Sequence, residues 1–77
     1  MKSEYLIILI EEYCNENNLN ISEFYEKISD IYQSEWGVNI VLQAKENGKW
    51  NITEYLEELG IVDRYISILN KIKKGLV

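Results

Sequence analysis

One pattern occurs twice in this chain and constrains its fold more than any other feature. Leu19-Asn20-Ile21-Ser22-Glu23-Phe24 returns, 31 residues on, as Trp50-Asn51-Ile52-Thr53-Glu54-Tyr55. Both copies read apolar, Asn, Ile, Ser or Thr, Glu, aromatic. That order is a helix start. The Asn side chain accepts a bond from a backbone N–H that the first helical turn leaves unpaired, and the Glu three positions later reaches back to the Asn N–H. The apolar residue before the Asn is expected to staple onto the aromatic at the fourth helical position, Leu19 onto Phe24 and Trp50 onto Tyr55.

The segments around these two starts also read as helical. Tyr5 to Ile10 is apolar and could pass for a buried strand, but Glu11-Glu12-Tyr13-Cys14-Asn15-Glu16 continues it with helical spacing. A first helix is expected from Ser3, a candidate cap, to Asn17. Leu6, Leu9, Ile10, Tyr13 and Cys14 share its apolar face, and Asn17-Asn18 ends it. A second runs from the Asn20 cap to Trp36 with a stripe of Ile21, Phe24, Tyr25, Ile28, Ile31, Tyr32 and Trp36, and Gly37 stops it. Val38 to Glu46 reads two ways. As a strand, Ile40, Leu42 and Ala44 would pair with Trp50 and Ile52 around Glu46-Asn47-Gly48. As a helix it would be largely buried, and the repeat favours the helix. Ile52 to Leu59 is a short amphipathic helix with Ile52, Tyr55, Leu56 and Leu59 inward. Gly60 ends it and Ile61 closes a Schellman contact. Val62 to Lys74 is the last helix, with Val62, Tyr65, Ile66, Leu69 and Ile72 inward and Arg64, Ser67, Lys71 and Lys74 outside. The expected fold is all-α: one domain over residues 1–77, a bundle of four to five helices built as two αα-hairpins plus a C-terminal helix. The absence of proline agrees with it.

The chemistry available is narrow. There is no histidine, hence no ordinary general base or imidazole ligand. The one cysteine, Cys14, lies on an apolar face and reads as a small core residue. A lone cysteine forms no internal disulfide and fits a reducing, cytoplasmic setting. No glycine-rich phosphate loop is present. Glu54, Glu57 and Glu58 lie within a turn of one another but on an exposed helix, where carboxylates rarely hold a cation. No enzyme activity, cofactor or metal is expected. The longest apolar run is far short of the roughly 20 residues of a membrane span, and no signal peptide is expected. Isoleucine, asparagine, lysine and tyrosine make up 33 of the 77 residues while arginine occurs once, a bias of AT-rich codons that points to a low-GC bacterium or its phages and mobile elements.

The net charge of −5 is uneven. Residues 1–60 carry −8, whereas residues 61–77 carry +3. An acidic body that binds rather than reacts suits a basic partner, because complementary charge steers association. The first reading is therefore a small interaction protein that regulates or inhibits another protein, one that itself handles nucleic acid. Its contact set is Tyr5, Ile8, Glu11, Glu12 and Glu16, on the outer side of the first helix. Tyr5, Tyr32, Trp36 and Trp50, near helix ends, are the aromatics best placed for a surface role. Self-association through the Ile8 side is a further reading.

Ile52-Thr53-Glu54-Tyr55-Leu56-Glu57-Glu58-Leu59-Gly60-Ile61, followed by Ile66 and Leu69, resembles the helix-turn-helix superfamily of DNA-binding domains. The resemblance covers about a quarter of the chain. It implies that the last helix lies in the major groove, with Asp63, Arg64, Ser67 and Lys71 facing bases and phosphates and Lys74 beside them. Four cations on an acidic protein are few for phosphate binding, which places this reading second.

Overall fold

The computed structural model describes residues 2–76. Five helices follow in order: α1 (Lys2–Asn17), α2 (Ile21–Trp36), α3 (Ile40–Glu46), α4 (Ile52–Leu59) and α5 (Val62–Lys73). The fold is an all-α bundle, and no strand occurs among the described residues. The stretch that reads two ways from sequence is thus a helix preceded by a capped turn.

Asparagine starts three of the five helices. Asn20 Oδ1 accepts from Glu23 N at 3.1 Å, Asn39 Oδ1 from Leu42 N at 3.1 Å and Asn51 Oδ1 from Glu54 N at 3.2 Å. All three caps have extended backbone, which aims the side chain at the open end of the helix. The cap at Asn39 goes beyond the sequence reading, although Asn39-Ile40 repeats the dipeptide found at Asn20-Ile21 and Asn51-Ile52. The reciprocal half of the expected box does not form, since Glu23 and Glu54 make no side-chain bond back to Asn20 or Asn51. At the other end of α4, Gly60 adopts φ 71°, a value that a side chain would strain. There Ile61 N donates to Leu56 O at 3.0 Å and Gly60 N to Glu57 O at 3.1 Å, the expected Schellman closure. Asn18 closes α1 in the same left-handed conformation, with φ 55°.

The core lies where α1 and α5 meet α2 and α4. Leu6, Ile10 and Cys14 of α1 face Tyr65, Ile68, Leu69 and Ile72 of α5, with Phe24, Ile28 and Tyr32 from α2 and Leu56 from α4 completing the cluster. The short α3 packs on α2 and α4 alone, contributing Ile40 and Ala44. Tyr65 is wholly buried. Its hydroxyl shares a hydrogen bond of 2.8 Å with Ser29 Oγ, so its polar end is satisfied in the interior. Burial raises the Tyr65 pKa, against the lowering effect of the Ser29 bond. Burial likewise pushes up the Cys14 thiol, as suits an unreactive core cysteine.

Several expectations on inward faces need correction. Ser3 does not cap α1. It lies inside the helix, buried, with Oγ donating to Glu57 Oε2 at 2.8 Å. Leu59, the last residue of α4, is 44% exposed, because the helix stops before another element can cover that position. Ile68 takes an inward place that the simple stripe of α5 omits, because α2 packs along that flank. Only Ile40 and Ala44 of α3 are buried, while Leu42 points to solvent, so α3 is not the largely buried helix expected. Ile21 and Trp36 of the α2 stripe are likewise exposed, and Tyr32, taken for a surface aromatic, is buried.

Candidate functional site: an acidic helix face beside an apolar cleft

The five residues expected to bind a partner share one side of α1. Successive steps of three or four residues carry Tyr5, Ile8, Glu11 or Glu12, and Glu16 along the helix on a single broad arc. All five are exposed, and Tyr5 and Ile8 keep 56% and 50% of their surface in water. None of the five makes a side-chain hydrogen bond or ion pair within the described residues.

Beside this arc lies a feature the sequence did not suggest. A cleft of about 510 Å³ opens between α1, α2 and the connection from α3 to α4. Ile7 forms its α1 wall and Tyr25 and Glu26 its α2 wall, while Val41, Trp50 and Ile52 line the far side. The lining is mostly apolar and contains no lysine or arginine. Tyr25 is half-buried there. Burial, and secondarily the negative charge of Glu11, pushes its pKa up to about 12, so the hydroxyl keeps its proton at any ordinary pH. Trp50 stands at the mouth, 93% exposed. The staple expected between Trp50 and Tyr55 therefore does not form. Tyr55 is buried without help from the indole.

The residues of the second reading lie on α5, two of them where it meets the end of α2. The Arg64 guanidinium sits 4.0 Å above the Trp36 ring and its Nη1 donates to the Tyr32 hydroxyl at 2.9 Å. Trp36 in turn stacks on Tyr32 at 6.0 Å between centroids. Lys71 Nζ pairs with Glu35 Oε2 at 3.1 Å. Asp63 pairs with Lys2 at 2.8 Å. Ser67 and Lys74 are exposed with no such partner among the described residues. Thus α2 already engages two of the four residues assigned to DNA.

Glu57 accepts from Ser3 and Glu58 pairs with Lys49 at 3.1 Å. Among the described residues no three histidine, cysteine, aspartate or glutamate side chains are grouped to hold a metal ion. No helix of the described residues is long and apolar enough to cross a membrane. Sequence reasoning named Trp50 as a surface aromatic but could not assemble the cleft. Its walls come from four separated stretches of chain. The chain matches no protein-family model, no curated protein and no solved structure.

Proposed function

We propose that this protein acts by occupying the surface of another protein, as a small non-enzymatic regulator or inhibitor of phage or mobile-element type, and that its partner is a basic protein that handles nucleic acid. One observation carries the reading. The outer arc of α1 presents two half-exposed apolar side chains among three carboxylates, and none of the five has a polar partner within the described residues. Side chains left in this state contribute little to folding and are available for contact. The −8 carried by residues 1–60 supports a cationic target, since complementary potentials raise the association rate and disfavour wrong partners.

The test uses paired baits. The protein and its Glu11→Lys/Glu12→Lys variant are immobilised and offered the same source-cell extract. A basic protein retained by the first and lost by the second is the expected result, with the loss reproduced by raised salt. Identical retention on both baits ends this reading.

A helix-turn-helix DNA binder using Arg64, Ser67, Lys71 and Lys74 is the competing reading. Titration with random duplex at low salt separates the two. Arg64→Ala is a poor probe, because it also removes the Tyr32 bond and the contact with Trp36. Lys74→Ala touches neither, so micromolar binding weakened by it would favour DNA. Light scattering tests self-association through the Ile8 side.

A further inference from the structure

Trp50 poses a physical problem. An indole is among the most favourable groups to bury, yet this one stays almost wholly in water beside an apolar cleft. It caps nothing and staples nothing. The cleft it borders, at about 510 Å³, falls within the roughly 300–1,000 Å³ of sites that bind ligands. It holds room for more than one apolar side chain. Its charge has one sign. Glu26 is the charged residue of the lining, and Glu11 is near enough to act on Tyr25. Of the four cations in residues 1–60, Lys2 and Lys49 are already paired with Asp63 and Glu58. Lys45 stands outside the lining, in an adjoining recess that shares Glu26, Ser29 and Val41 with the cleft, and Lys27 is not part of the lining. An occupant with negative charge would meet Glu26 in a lining that holds no lysine or arginine to answer it.

We infer that this cleft seats a basic amphipathic segment of the partner protein, its apolar side chains against Ile7, Val41 and Ile52, its lysines or arginines beside Glu11 and Glu26, and the Trp50 indole closing over it. The inference rests on the protein-binding reading above and deepens it. That reading places contacts on the outer arc of α1, and the cleft extends them past Ile7 and Glu11 to a central apolar pocket. Such an arrangement, an aromatic anchor within a charged rim, is where interfaces concentrate their binding energy. The Tyr25 hydroxyl, protonated and at the wall, supplies a hydrogen bond to the incoming backbone.

Trp50 reports its own burial. In the 77-residue chain carrying Trp36→Phe it is the sole indole, and its emission shifts to the blue when water leaves it. The probe is a 14-residue helical peptide of leucine and lysine, labelled for anisotropy. The controls are the same peptide with glutamate for lysine and a lysine-only peptide. The leucine–lysine peptide is expected to shift Trp50 emission, and neither control should. Affinity should fall roughly tenfold on Glu11→Lys/Glu26→Lys, as for loss of close charge complementarity. It should fall about thirtyfold on Trp50→Ala in the native Trp36 background, the change a dominant contact residue produces. Trp50 is exposed, so its removal leaves the fold intact, which circular dichroism checks. Four results would overturn the inference: no shift with the leucine–lysine peptide, an equal shift with the glutamate peptide, unchanged affinity in the charge-reversed variant, or a shift that grows with protein concentration alone, which would make the occupant a second copy of this chain. A third bait, Trp50→Ala, separates this failure from that of the broader reading. A partner kept by Trp50→Ala but lost by Glu11→Lys/Glu12→Lys refutes the cleft and leaves the protein-binding role standing.

Discussion

The two Asn-led segments begin alike and end differently. Asn20 and Asn51 cap their helices with the same geometry, and the aromatics at matching positions, Phe24 and Tyr55, are both buried. Beyond that the copies part. Leu19 lies half in solvent beside the recess it shares with Phe24, whereas Trp50 is almost free of the protein. Ile28 is buried at the middle of α2, while its counterpart Leu59 ends α4 and stays exposed. Tyr25 lines the cleft, while its counterpart Leu56 fills the core. The cap is a contact over three residues and is repeated wherever its letters are. The fate of every other side chain depends on which helix happens to lie across from it.

Substitutions can break or sharpen this comparison. The largest effect belongs to the feature the copies share. Phe24→Ala and Tyr55→Ala should each cost about 3–5 kcal/mol, enough to threaten folding in so small a domain, as read by denaturant midpoint. A small loss at either would mean that the two aromatics are not equivalent. The caps should differ by less. Asn20→Ala should cost about 1 kcal/mol. Asn51→Ala should cost about 2 kcal/mol, because Asn51 Oδ1 also accepts from the buried Thr53 hydroxyl at 2.6 Å, and the substitution leaves that donor unpaired. Equal losses would remove the distinction.

Alkali should affect the first segment through a residue with no titrating counterpart in the second. Below the unfolded value near 10 both folded and unfolded chains keep the Tyr25 proton, and its stabilisation is complete. Above it the unfolded chain ionises first, so stability is lost as pH rises toward about 12. Tyr65 adds to the fall, its pKa being raised as well. Tyr25→Phe should therefore shallow the decline in a thermal-melt series over that range without abolishing it. An unchanged decline would remove Tyr25 from the account. The smallest effect is expected at Trp50→Ala, within about 0.5 kcal/mol, as for a surface site that packs on nothing. A larger loss would restore the staple to the second segment.

The parts of the fold legible in sequence were those written locally. Asn20, Asn51, Gly37, Gly60 and the apolar steps of α2 and α5 announce their helices within a few residues. Asn39 announces one too, but the helix behind it has two turns, too few for a period to separate helix from strand. Ser3 misled because a serine near a chain start resembles a cap, whereas Glu57, the residue that holds it, is 54 positions away. The exposure of Ile8 was readable from the α1 wheel, where it falls on a polar side. The cleft was not readable, since Ile7, Tyr25, Val41 and Trp50 have nothing in common along the chain and meet only after folding.

The four connections between helices are unequal in length. Three of them span two or three residues, and each is held by the left-handed turn that follows its helix. The fourth, from Asn47 to Asn51, has five residues and turns through a left-handed Gly48 as well, and it is this one that carries the tryptophan. Deleting a residue from it would draw the indole back from the mouth of the cleft while sparing the core. Lengthening it would give the indole more reach.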